Sequence, residues 1–133
     1  MKEDGFLAGK KIIIAEDDEN SFLLLDFMLS ELKAQIIHTQ TGEDTIQALM
    51  NNPDTCLILL DIRMPGKSGI EAARFIRQFN TDVPIIAQTA VMFKDEEKEK
   101  ALEAGCNDYI LKPINRDLLL GKIKHLLKIT TFN

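Results

Sequence analysis

Several things are scarce in this chain of 133 residues, and each scarcity excludes something. There is no tryptophan and one tyrosine, so a core must be built from aliphatic side chains and seven phenylalanines. There are two cysteines, Cys56 and Cys106, too few and too far apart for a zinc-type ligand spacing. One falls in an apolar run and the other in a Gly-Cys-Asn turn, and both read as reduced thiols. No apolar stretch approaches the ~18 residues that cross a bilayer. The start, Met1-Lys2-Glu3-Asp4-Gly5, is charged and leads into no signal-peptide core. Positive charge is in deficit: 16 Lys and Arg stand against 21 Asp and Glu, for a net charge of -5. That argues against direct nucleic-acid binding, which needs a basic stripe. What remains is one ordinary globular domain, expected in the cytoplasm with no membrane contact of its own.

What is present is an alternation. Short apolar runs at 11–15, 34–38, 56–60, 83–88 and 108–111 read as five strands. Between and after them, segments of helical period run over 19–32, 43–51, 70–79, 94–104 and 115–128. Phe22, Leu25, Phe27, Met28, Leu29 and Leu32 mark the apolar face of the first helix. Ile70, Ala73, Phe75, Ile76 and Phe79 mark the third. Gly105 is placed to cap the fourth. Strands alternating with helices predict an α/β fold, a doubly wound parallel sheet covered on both faces. Right-handed crossovers give the flavodoxin-like strand order 2-1-3-4-5, with five flanking helices. Residues 1–9 read as a leader or linker, 10–129 as the domain and 130–133 as a tail.

In such a sheet, ligands bind outside the carboxyl ends of the strands, at the switch point between strands one and three. The residues there are of one chemical kind. Strand one ends in Glu16-Asp17, strand three in Asp61, strand four in Thr89 and strand five in Lys112. Three carboxylates, a hydroxyl and an ammonium suit a divalent cation and a phosphoryl group. A hard cation such as Mg²⁺ takes oxygen ligands, and three close acids repel one another without one. Asp61 is the candidate nucleophile for an aspartyl-phosphate. Such a transfer needs neutralised charge and in-line positioning more than acid–base chemistry, and Lys112 supplies a cation. Thr89 offers a hydroxyl to a phosphoryl oxygen, and Ala90 beside it leaves room. Taken singly, the acids at 16–18 would only open a helix, Thr89 would only cap one, and Lys112 would only be solvated.

The order of these motifs carries a resemblance. Ile-Ile-Ile-Ala-Glu16-Asp17-Asp18, Leu-Leu-Asp61-Ile-Arg-Met-Pro65-Gly, Gln-Thr89-Ala90 and Lys112-Pro113 together resemble the response-regulator receiver domain of two-component signalling, over residues 11 to about 128. The resemblance implies that Asp61 accepts a phosphoryl group from a histidine kinase or a histidine phosphotransfer domain. It implies Mg²⁺ held by Glu16, Asp17, Asp61 and the backbone carbonyl of Arg63, with Thr89 and Lys112 on the phosphoryl group. Tyr109 matches the family's switch aromatic, which turns inward when Thr89 moves. The Lys112–Pro113 bond is expected to be cis. The switching surface is the fourth helix, strand five and fifth helix, and a homodimer through that surface is open. The charge run Lys94 to Lys100 lies on it and reads as a solvated helix with i,i+4 pairs. Arg63 and Val91 flank the path of a hydrolytic water, and neither can orient one, so dephosphorylation should be slow.

Rival readings fit less well. A small-molecule phosphatase with an aspartate nucleophile resembles Asp-x-Asp, and Arg63 stands at the second position. A P-loop ending in Gly66-Lys67-Ser68 needs glycine where Asp61 stands. A degenerate, interaction-only receiver does not need the full acid set. The segment Phe6 to Lys11 and the turn Ala104 to Tyr109 resemble receivers of hybrid sensor histidine kinases, whose parent chain can be membrane-anchored. A stand-alone response regulator is the alternative. His38 and His125 read as a strand-end and a surface-helix residue.

Overall fold

The computed structural model describes residues 5–128. The element order is β1 (Lys11–Ala15), α1 (Glu19–Met28), β2 (Gln35–Thr39), α2 (Gly42–Asn51), β3 (Thr55–Asp61), α3 (Gly69–Phe79), β4 (Ile85–Ala90), α4 (Lys94–Glu103), β5 (Asp108–Lys112) and α5 (Arg116–Leu126). All strand pairs are parallel and the order across the sheet is β2-β1-β3-β4-β5, as the alternation predicts. No helix among the described residues is long and apolar enough to cross a membrane.

The strands read as continuous apolar runs because the pleat sends alternate residues into two cores. Ile13, Ala15, Ile58, Leu60, Ile85 and Ala87 point to one face, against Ile46 and Leu49 of α2, Ala72 and Ile76 of α3, and Ala101 of α4. Ile12, Ile14, Leu57, Leu59, Ile86 and Ile110 point to the other, against Leu25 and Leu29 from the α1 side and Leu119 and Ile123 of α5. At the carboxyl ends, β3 and β4 pair Asp61 with Gln88, and β4 and β5 pair Ala90 with Lys112. Across β1 and β3, Ala15 pairs with Leu60, so Glu16 and Asp61 follow on adjacent strands, while Lys112 stands two residues beyond Ile110, the β5 residue level with Gln88.

The structure corrects several details. The first helix does not run to residue 32. It ends at Met28, and a 3-10 turn follows over Ser30–Leu32, closed by Lys33 at φ 64°. The Ser30 hydroxyl donates to the Phe27 carbonyl at 2.8 Å, a local bond that competes with the helical ladder. Leu25, Leu29 and Leu32 form the buried stripe, and Phe27, two residues off it, is 76% exposed. In α3 the buried residues are Gly69, Ala72, Ala73 and Ile76, while Phe75 and Phe79 pack edge to face on the outside. β4 begins at Ile85 and not Val83, because Pro84 has no N–H for the ladder. At its other end it runs on through Thr89 and Ala90, which pair with Leu111 and Lys112 of β5. Residues 5–9 are more than a leader: Leu7 is buried with the α1/α5 core, and its N–H donates to the Leu32 carbonyl at 3.0 Å. The 130–133 tail lies outside the described residues.

At the end of the sheet away from Asp61, Arg77 ties the end of α3 to the α4–β5 turn through three hydrogen bonds. Its Nε donates to the Gly105 carbonyl at 2.9 Å, Nη1 to the Asn80 carbonyl at 3.1 Å and Nη2 to Asn107 Oδ1 at 3.0 Å. Gly105, at φ +110°, is the left-handed cap of α4, with its own N–H bonded to Leu102 and that of Cys106 to Ala101. A Cβ there would stand 2.5 Å from the Arg77 side chain, so glycine is required twice over.

Two measurements follow. Arg77→Lys keeps the charge but cannot reach three acceptors with a planar fork. It should lower stability by ~1–2 kcal/mol, read as a fall in the thermal midpoint, and an unchanged midpoint would show the ties to be idle. Burial pushes the Cys106 thiol up to about 12, and burial raises Cys56 as well. Burial disfavours the thiolate, so neither should be carbamidomethylated by iodoacetamide at mildly alkaline pH unless the protein is first unfolded. Peptide mass spectrometry reads this directly.

Candidate functional site

The carboxyl edge of β1, β3, β4 and β5 opens on a cleft of about 240 Å³ bordered by Glu16, Asp17, Asp61, Arg63, Gln88, Thr89, Ala90, Glu97 and Lys112. Carboxylate oxygens of Glu16, Asp17 and Asp61 lie within 4.8 Å of one another. Glu16 and Asp61 are buried and Asp17 is exposed. The Lys112 ammonium bridges the buried pair, 3.0 Å from Glu16 Oε1 and 2.8 Å from Asp61 Oδ2. Asp61 Oδ1 accepts from the Arg63 N–H at 3.0 Å, and Glu16 Oε2 from the Asp18 N–H at 3.1 Å.

Local chemistry builds this geometry. Asp18 caps α1, accepting from the Ser21 N–H at 2.9 Å and hydroxyl at 2.8 Å, so the capping role falls to it and not to Glu16 or Asp17. Behind Asp61, a Cβ on Gly69 would stand 2.3 Å from the Asp61 carbonyl oxygen, so only glycine lets α3 start against that turn. Ser68 and Glu71 close a capping box on the same helix. The Lys112–Pro113 bond is cis.

The electrostatics show the strain of the arrangement. Burial holds the Glu16 carboxyl above its ordinary range; the Lys112 hydrogen bond pulls it back and the Asp61 charge pushes it further up. Burial works against the Lys112 ammonium, yet hydrogen bonds and charge from Asp61 and Glu16 outweigh it and hold the group above its ordinary range. Three carboxylate oxygens within reach of one point make a hard-cation donor set. The residues therefore fit Mg²⁺.

Thr89 is buried, and its hydroxyl does not cap the following helix. It donates to the carboxylate of Glu97. A 3-10 turn over Val91–Phe93 precedes α4, which has no side-chain N-cap. Glu97 is buried, against the expectation of a wholly solvated charge run. Its other oxygen is 2.8 Å from Arg63 Nε, and the Arg63 guanidinium lies 3.6 Å above the Phe93 ring. The missed signal is spacing: Glu97, Ala101 and Ala104 stand at i, i+4 and i+7, and all three are buried. Gln88 was also missed; its carboxamide is fully buried with no hydrogen-bonding partner among the described residues. Tyr109 borders no part of the cleft. It packs against the core on the α2–α4 side, with Lys98 Nζ 5.1 Å and Lys122 Nζ 5.6 Å from its ring centre. Val91 is exposed. His38 stacks on Phe22 at 3.6 Å and meets the Glu16 carbonyl at 2.8 Å through Nε2, a supporting position under the site.

Comparison with known proteins agrees with this geometry. The family profile described as the response regulator receiver domain matches residues 12–124. The alkaline phosphatase synthesis transcriptional regulatory protein PhoP of Bacillus subtilis is 34% identical over 122 residues, which is 90% of this chain and 49% of that protein. The chain spans about half, or less, of the length of the curated relatives it matches. The receiver domain of a sensor histidine kinase from Pseudomonas aeruginosa, solved with a magnesium ion in its active-site cleft, is 30% identical with a TM-score of 0.83, over 91% of this chain and 99% of that one. A chain of the complex between the Saccharomyces cerevisiae histidine phosphotransfer protein Ypd1 and the Ssk1 receiver is 30% identical with a TM-score of 0.83, over 92% of each. The acid-lined edge, the 2-1-3-4-5 sheet and the family match converge: this chain belongs to the response regulator receiver domain family of two-component signalling.

Proposed function

We propose that this domain takes a phosphoryl group from a phosphohistidine of a histidine kinase or phosphotransfer domain onto Asp61. The observation that carries the reading is the Glu16–Asp17–Asp61 oxygen cluster bridged by Lys112. A carboxylate oxygen of Asp61 attacks phosphorus, the P–N bond to the donor histidine breaks, and its electron pair stays with the imidazole. Glu16, Asp17, Asp61 and the backbone carbonyl of Arg63 are the residues that would hold Mg²⁺. The cation supplies charge neutralisation for the transferring oxygens. Lys112 follows the new charge, exchanging its Asp61 contact for a phosphoryl oxygen. The Thr89 hydroxyl donates to another, and Ala90 leaves the space. Tyr109 is the proposed switch aromatic, and α4, β5 and α5 form the responding surface, where a homodimer would also form. The likeness to the Pseudomonas receiver supports a hybrid-kinase parent for this chain.

Intact mass after incubation with acetyl phosphate and Mg²⁺ tests the reading. One phosphoryl group should appear on the wild type, not on Asp61→Asn and not with EDTA present. No gain would leave the acids as helix-capping and ion-pairing groups. The lifetime of the adduct is the second measurement. The Arg63 guanidinium is engaged by Glu97 and Phe93, and Val91 offers no polar atom, so no side chain at either position orients a water. The double variant Arg63→Asn, Val91→Glu should shorten the phosphoryl half-life by about tenfold, within the range of a positioned proton-transfer or water-orienting group. An equal or longer half-life would refute that account.

A further inference from the structure

We propose that Glu97 is a positioning residue that holds the phosphoryl-binding groups in their resting place and reports their departure to α4. The inference rests on Asp61 being the phosphoacceptor. Glu97 is the one carboxylate of α4 that borders the cleft with Asp61 and is also buried. One of its oxygens accepts the Thr89 hydroxyl, and the other is 2.8 Å from Arg63 Nε. The two partners come from different strand ends: Thr89 from β4, and Arg63 from the loop two residues after Asp61. Arg63 is fixed a second time by its stack on Phe93, at the start of α4.

The chemistry makes the Thr89–Glu97 hydrogen bond mutually exclusive with one from Thr89 to a phosphoryl group. A threonine hydroxyl has one proton to donate. When that proton goes to a phosphoryl oxygen, Glu97 loses its donor. Phosphorylation also brings roughly -1.5 to -2 charges into the cleft that Glu97 borders. A buried carboxylate that loses a hydrogen bond and gains a like-charged neighbour is poorly placed where it is. Because Glu97 lies on the buried stripe with Ala101 and Ala104, its exit must carry the amino-terminal half of α4 with it. The same contact is thus a resistance to phosphorylation and the handle by which phosphorylation moves α4.

The test uses beryllofluoride with Mg²⁺, a mimic of the phosphoryl group, and measures its apparent affinity by titration. Glu97→Ala frees both Thr89 and Arg63 and should tighten binding at least about fivefold, the lower end of a typical coupling between sites. Glu97→Gln keeps an acceptor for Thr89 and loses the ion pair, and should fall between the wild type and Glu97→Ala. Arg63→Met should add less in the Glu97→Ala background than it does in the wild type, since the two substitutions share the Arg63–Glu97 contact. A merely structural Glu97 would leave affinity unchanged or weaken it, as would a misfolded variant. If the wild type binds and neither Glu97 variant binds more tightly, the positioning role is wrong and the phosphoacceptor reading stands. If the wild type binds no beryllofluoride, both fall.

Discussion

Two buried carboxylates cannot share a cleft without a cation, and in this domain Lys112 is that cation. Its ammonium sits 2.8 Å from Asp61 and 3.0 Å from Glu16. The arrangement is incompletely balanced, since Asp17 adds a third acid within 4.8 Å and Glu16 stays above its ordinary range, chiefly through burial. Excess negative charge held by a rigid edge is a standing attraction for a divalent cation. The sheet exists to hold that edge. Four parallel strands end within a few residues of one another above the two apolar cores, and the side chains at their ends reach one cleft.

Much of this was legible in the chain. The strand count, their order and the residues at their ends follow from apolar runs of four to six residues broken by Glu16, Asp61, Thr89 and Lys112. Those groups are readable because their position is set by local pattern: a charged residue directly after a buried run has to stand at the mouth of the sheet. The cis Lys112–Pro113 bond, expected from the family resemblance, is also present.

What was not legible depends on contacts between distant segments. Glu97 sits within a run of seven charged residues, and composition alone makes that run a solvated face. Only the buried stripe it shares with Ala101 and Ala104 reveals that one member turns inward. Phe75 and Phe79 show the opposite error: large apolar side chains counted toward the inner face stand outside, because small residues such as Ala72 and Ala73 let α3 lie close to the sheet. Phe27 stands outside because it is off the Leu25–Leu29–Leu32 stripe that begins in α1. Arg77 ties the end of α3 to the α4–β5 turn through backbone and Asn107 acceptors that no local pattern predicts.

The α4 helix is fastened very differently at its two ends. Its carboxyl end is closed by the Gly105 cap, and the Gly105 carbonyl is held by Arg77. Its amino end has no side-chain cap. A rod pinned at one end can swing but not slide. Over ten residues the helix is about 15 Å long, so a modest tilt at Gly105 becomes a displacement of a few ångströms at Lys94. The Arg77 tie therefore acts as a fulcrum: it converts a change of one hydrogen bond near Asp61 into leverage at the far tip of the helix.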